Sequence, residues 1–336
     1  MKIGIVNDVP MVVEILRRAL AEHPQHQLIW VAQDGVQAAE MCEWQLPDIV
    51  LMDIVMPNAD GVEATRRIMQ KTPCPILLVT ADITANAVKV YEALGHGALD
   101  VVTTPVMTGG NFQQGAAALI AKIEKVARMG KKGEAPAPVR KAAIVKEADP
   151  STRLVVIGAS AGGPAALAEL LRGLPADFPA AVVIVQHINP AFVDGMADWL
   201  QQQTALRVRV AKEGDQPLNG TVFIAGTNQH LLIKNHDSLG YIQESPSDIY
   251  HPSIDVLFHS VVQQWQGKAV GVLLTGMGRD GALGLKAMHD HKYHTIVQDQ
   301  ESSSVYGMPK AAVALKAATD ILPVSGIAQK LVNLFH

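Results

Sequence analysis

Apolar residues gather in short runs at 2–6, 28–32, 49–52, 76–79 and 99–102. Between them, and after the last, apolar positions recur at helical spacing, as in Val12, Val13, Leu16 and Leu20 and again in Ala116, Leu119, Ile120, Ile123 and Val126. Five such strand and helix pairs predict a doubly wound parallel sheet, because a strand covered on both faces reads as one unbroken apolar run. The alternation stops over 129–150, where Pro, Gly, Ala and Lys mix without a period, as they would in a linker. From Ser151 a second series predicts strands at 153–157, 181–186, 206–210, 221–225 and 269–274. A less regular stretch over 226–252 predicts a hairpin, with 231–233 and 240–242 flanking the turn residues 235–238. The pattern therefore predicts two different α/β domains, 1–128 and 151–336, joined by a linker over 129–150.

Composition narrows the classes. With 336 residues, 49% hydrophobic and 18% charged, the chain can build two cores and is not disordered. A net charge of -4 gives no basic footprint for nucleic acid, and the lysines of 129–150 read as a solvated linker. Only Cys42 and Cys74 are present, which excludes a disulfide framework and a cysteine-based zinc site. The first residues reach Asn7 and Asp8 too soon for a secretory signal, and no apolar run has the length of a membrane span. A cytoplasmic protein without membrane insertion is expected.

Three residues of the second domain stand where an apolar run gives way to a loop: Ser160, His187 and Asp280. Strand ends of one kind share one edge of a parallel sheet, so a serine, a histidine and an aspartate could converge there as a hydrolase triad. Gly158-Ala159-Ser160-Ala161-Gly162 matches G-x-S-x-G, a sharp turn that exposes a serine hydroxyl, and Gly163-Pro164 then opens a helix. N–H groups just after Ser160 would face a developing oxyanion. A dinucleotide loop is the competing reading of these glycines, but it wants a middle glycine and an acidic residue after the next strand, where Ser160 and Gln186-His187 stand. Taken singly, His187 reads as an ordinary strand-end histidine and Asp280 as a helix cap. Their joint placement gives them weight. The order Ser, His, Asp differs from that of the α/β-hydrolases.

The second domain resembles the catalytic domain of the chemotaxis response-regulator protein-glutamate methylesterases, the CheB family. The likeness is carried by Ile157-Gly158-Ala159-Ser160-Ala161-Gly162-Gly163, Gln186-His187, the block from Pro252 to Ser260, Leu274-Thr275-Gly276-Met277-Gly278-Arg279-Asp280-Gly281-Ala282 and Gly307-Met308-Pro309. It implies hydrolysis of glutamate methyl esters on chemoreceptors and deamidation of certain receptor glutamines, opposite a receptor methyltransferase. It makes Ser160 the nucleophile, His187 the base and Asp280 its orienter, with the Met277 N–H as an oxyanion donor. Ala161 stands where many relatives have threonine, and His251 where they carry arginine. A non-catalytic signalling adaptor and a serine hydrolase of another ester are the rival functions.

The first domain resembles a response-regulator receiver. The resemblance makes Asp53 the phosphoacceptor for a two-component histidine kinase, Thr80 the switch hydroxyl, and Asp8, Asp53 and the Val55 carbonyl the ligands of a Mg2+ ion. Read without it, Asp8 is a cap and Thr80 a strand former. Two positions depart from the receiver pattern: Asn7 replaces one carboxylate of the acidic pair, and Thr104 stands where a lysine would meet the phosphoryl group. Weaker metal binding and a blunted phosphate response are expected, features similar to the Wsp-type branch of alternative chemosensory systems.

Overall fold

The computed structural model describes residues 1–82, 85–106, 111–127, 151–243 and 249–335; the linker expected over 129–150 lies outside them. The chain divides into two compact units, Met1–Ala137 and Pro138–His336.

In the first unit the chain runs β1 (Lys2–Val6), α1 (Pro10–Ala21), β2 (Gln27–Ala32), α2 (Gly35–Trp44), β3 (Ile49–Met52), α3 (Gly61–Lys71), β4 (Ile76–Thr80), α4 (Ala87–Gly95), β5 (Asp100–Thr103) and α5 (Asn111–Ala127). The strands pair in parallel in the order β2-β1-β3-β4-β5. Every residue of β3 and β4 is buried, as strands covered on both faces require. The order reverses between β1 and β3, and the loops after these two strands form the crevice where such sheets bind ligands.

The second unit continues with β6 (Arg153–Ala159), α6 (Gly163–Arg172), β7 (Ala181–Gln186), α7 (Val193–Gln203), β8 (Arg207–Val210), β9 (Thr221–Ile224), β10 (His230–Lys234) and β11 (Ser238–Ile242). It ends with α8 (Ile254–Gln264), β12 (Lys268–Leu273), α9 (Ala282–Asp290), β13 (His294–Gln298), α10 (Met308–Ala314), β14 (Asp320–Leu322) and α11 (Val324–Phe335). Seven strands form a parallel sheet in the order β14-β13-β12-β6-β7-β9-β8, and β10 and β11 make the antiparallel hairpin expected from the sequence. The direction of winding changes at β6, which lies between β7 and β12. Both units are thus α/β, the first a (βα)5 receiver fold and the second doubly wound and parallel apart from its hairpin.

Two strands have no counterpart in the hydrophobic pattern. In β13 only Ile296 and Val297 are apolar, and β14 is a three-residue edge strand, Asp-Ile-Leu, partly exposed throughout. Tertiary pairing, with Ile296 beside Asp320 and Val297 beside Ile321, makes strands of segments too short to announce themselves.

Candidate active site

In the first unit Asn7 follows β1 and Asp53 follows β3, at the reversal of strand order. The Asn7 side chain, 3% exposed, donates from Nδ2 to Asp53 Oδ2 at 2.8 Å. Its Oδ1 accepts from the Val9 N–H at 2.9 Å, which fixes the end of the amide that faces the carboxylate. The other Asp53 oxygen accepts from the N–H of Ile54 at 2.6 Å and of Val55 at 3.4 Å. Burial is the largest influence on Asp53 and pushes its carboxyl above the ordinary range; the charge of Asp8 adds to this, and the Ile54, Val55 and Asn7 donors oppose it. Thr80 is buried, with Oγ1 accepting from Asn86 Nδ2 at 3.2 Å, and its carbonyl accepts from the Thr104 N–H at 3.0 Å. Asp8 and Val55 are exposed.

Among the described residues no group of three or more His, Cys, Asp or Glu side chains is gathered to hold a metal. The Asp8 and Asp53 carboxylates and the Val55 carbonyl are nonetheless the hard oxygen donors that Mg2+ prefers. Asn7 turns an amide N–H toward Asp53, and its neutral Oδ1 already accepts from Val9. The donor set fits a divalent cation with one negative charge fewer than an acidic pair would supply.

In the second unit, Ser160 follows β6, His187 follows β7, and Asp280 lies in the loop between β12 and α9, so the loops of three adjacent strands carry them. His187 Nε2 is 2.8 Å from Asp280 Oδ2. The aspartate is 1% exposed and the histidine side chain 16%, so the acid is sealed while the base still reaches the surface. Asp280 accepts four further hydrogen bonds: from Ser253 Oγ and the Asp255 N–H, each 3.0 Å from Oδ1, from the Ile254 N–H, 2.7 Å from Oδ2, and from the Gly281 N–H, 3.0 Å from Oδ1. Three of these come from the start of α8, whose N-terminal N–H groups and dipole favour an anion. Burial is the largest influence on Asp280 and works against its charge. His187 and the Ile254 and Asp255 amides outweigh burial and hold the carboxyl below the usual range.

Ser160 is buried, and its main chain is anchored on three sides. Its N–H donates to the Thr275 carbonyl at 3.0 Å, and its carbonyl accepts from Gln186 Nε2 and from the Gly163 N–H, both at 2.8 Å. No hydrogen bond joins Ser160 Oγ to His187 among the described residues; with Nε2 on Asp280, Nδ1 is the ring nitrogen left for the serine. The N–H groups of Ala161 and Met277 likewise have no hydrogen-bond acceptor among the described residues. Gly276 lies against the nucleophile turn so closely that an added Cβ would meet Ser160 Cβ at 2.8 Å and Met308 Sδ at 2.3 Å. Gly162, at φ +75°, allows the turn to enter α6, which begins with Gly163 and Pro164.

Residues 155–331 match the CheB methylesterase family, and residues 3–110 match the response regulator receiver domain. The chain is 54% identical over 335 residues to a protein-glutamate methylesterase/protein-glutamine glutaminase of a group 3 operon in Pseudomonas putida, covering 100% of this chain and 99% of that protein. The protein-glutamate methylesterase/protein-glutamine glutaminase 1 of Cupriavidus pinatubonensis is also 54% identical, over 99% of this chain and 97% of its own. The crystal structure of the Thermotoga maritima CheB methylesterase catalytic domain is similar at 33% identity and a TM-score of 0.52, covering 54% of this chain and 97% of that one. The chain belongs to the CheB methylesterase family.

The CheB-type unit also uses polar residues to which the sequence reading gave no role. Ser253, inside the Pro-Ser block, caps α8 and donates to Asp280. A Ser at a helix start is a legible cap; its second duty to an aspartate 27 residues away is not. Gln186, buried, braces the Ser160 carbonyl. Thr275 Oγ1 donates to the Ala161 carbonyl at 3.0 Å and accepts from the Val305 N–H at 2.8 Å, tying the serine turn to the loop before α10.

Proposed function

We propose that this chain hydrolyses glutamate methyl esters on chemoreceptors, and deamidates receptor glutamines to glutamate, with Ser160 as nucleophile, His187 as general base and Asp280 as the partner of His187. The observation that carries the reading is the bond from His187 to a sealed, fully hydrogen-bonded Asp280, on loops adjacent to that of a serine in a G-x-S-x-G turn. Ser160 Oγ attacks the ester carbonyl and passes its proton to His187 Nδ1. Asp280 stabilises the imidazolium. The N–H groups of Ala161 and Met277 receive the oxyanion. Return of the proton to the leaving oxygen of an ester releases methanol, and its return to the amide nitrogen of a glutamine releases ammonia; either leaves an acyl-serine. Water, deprotonated by His187, then cleaves this ester to give glutamate and restore Ser160.

The receiver accepts a phosphoryl group on Asp53 from a two-component histidine kinase, and Thr80 senses it. A Mg2+ ion held by Asp8, Asp53 and the Val55 carbonyl would neutralise the incoming phosphoryl oxygens. Among the described residues no helix is long and apolar enough to cross a membrane. A cytoplasmic enzyme acting on the inner portions of receptors, opposite a methyltransferase, fits that composition. Methanol release from methylated receptor preparations tests the activity, with ammonia release as the parallel assay for deamidation. Full activity in folded Ser160→Ala protein contradicts the assignment.

A further inference from the structure

Tyr250 lies three residues ahead of Ser253, on the segment that reaches Asp280, and it is partly exposed. Its phenol ring stacks on the imidazole of His187, with centroids 5.4 Å apart and planes within 5°. A Cβ added at Gly278 would meet Tyr250 Oη at 2.5 Å, so the far end of the same ring rests on the turn that carries Met277. Gly278 adopts φ +87°, where a side chain would be strained as well as obstructed. One aromatic residue thus touches both the ring face of His187 and the glycine turn beside Ser160.

His187 has one side-chain hydrogen bond among the described residues, to Asp280. A single bond leaves an imidazole free to pivot about it, and the serine does not hold the other nitrogen in this structure. A flat ring stacked parallel to it on one face restricts that freedom. We propose that Tyr250 is a positioning residue of the hydrolytic site: its ring sets the plane of His187 and its π face stabilises the imidazolium that forms when Ser160 attacks. This rests on the triad reading above. The charge on His187 exists in the transition state and tetrahedral intermediate but not while the resting base is neutral, so a cation over the ring lowers the barrier rather than tightening substrate binding. The ring, and not the hydroxyl, supplies both effects.

Full-length Tyr250→Phe, Tyr250→Leu and His187→Ala proteins are compared with wild type in methanol release from methylated receptor, with kcat and KM separated. The rate at which a fluorophosphonate labels Ser160 is measured in parallel, because it reports the activation of the serine without the receptor. Tyr250→Leu should lose about tenfold in kcat, the scale of a partly desolvated cation–π contact, with KM within roughly twofold and labelling slowed to the same degree. Tyr250→Phe should stay within about threefold of wild type. Should the leucine protein be unstable, Tyr250→Met repeats the comparison with a flexible side chain that has no ring face. Wild-type kcat in Tyr250→Leu or Tyr250→Met, equal damage in Tyr250→Phe, or a rise in KM at unchanged kcat overturns the proposal while His187→Ala remains inactive. An active, folded His187→Ala protein overturns the triad reading and this inference with it.

Discussion

Asp280 accepts five hydrogen bonds at a position 1% exposed, from His187, Ser253, Ile254, Asp255 and Gly281. Replacing it with asparagine removes the charge that stabilises the imidazolium and turns an amide N–H toward donors that need an acceptor. Asp280→Asn should lower kcat/KM by about 10^3- to 10^4-fold, less than Ser160→Ala or His187→Ala, for which losses on the order of 10^6 are expected from other triads. Methanol release orders the three proteins. The depressed carboxyl of Asp280 also has a consequence for stability. A folded value below the unfolded one means that the unfolded chain binds the proton first, so this contribution is whole above the ordinary carboxylate range and disappears as pH falls through the folded value. Urea midpoints of wild type and Asp280→Asn should therefore differ most near neutral pH and converge in acid. At the other site, Asn7 turns an amide N–H toward Asp53 where a second carboxylate would attract a cation. Asn7→Asp should tighten Mg2+ binding by about tenfold, the scale of one added charge at contact distance in a well-solvated site, as calorimetric titration would report.

The start of α8 links two duties in one turn. Ser253 Oγ accepts from the Val256 N–H at 3.4 Å as the helix cap and donates to Asp280 Oδ1 at 3.0 Å. Ser253→Ala should cost about 1 kcal/mol in chemical denaturation. It should also lower kcat, because Asp280 loses a donor that orients it. The strands that the hydrophobic pattern announces are the wholly or almost wholly buried β1, β3, β4, β6, β7, β9 and β12 together with the more exposed β2, β5 and β8, whose apolar residues are regular enough to be read directly. The strands β13 and β14 are not, because their pairing comes from the sheet rather than from their own residues. The same division runs through the candidate site. Ser160, His187 and Asp280 stand out because motif and strand-end position coincide. Tyr250 and Gln186 act through contacts across the fold, and nothing in their local spacing marks a ring stacked on His187 or an amide beneath Ser160.

For the whole molecule, a receiver and an esterase in one chain lead to the expectation that a phosphoryl group on Asp53 raises the hydrolytic rate. A small phosphodonor should raise methanol release by the full-length protein, and Asp53→Asn should abolish that response while keeping the basal rate. Because Asn7 and Thr104 stand in for a carboxylate and a lysine, the wild-type response should be modest, and Asn7→Asp combined with Thr104→Lys should enlarge it. Assays with and without the phosphodonor check all three proteins. The central claim, however, is that Ser160 carries the hydrolysis, and one measurement addresses it directly: methanol release from methylated receptor by full-length wild type and by Ser160→Ala protein shown to be folded. The account predicts steady release by the first and a loss on the order of 10^6 in the second, in practice no release above the receptor-only control. Release by Ser160→Ala at a rate comparable to wild type contradicts it and requires another nucleophile.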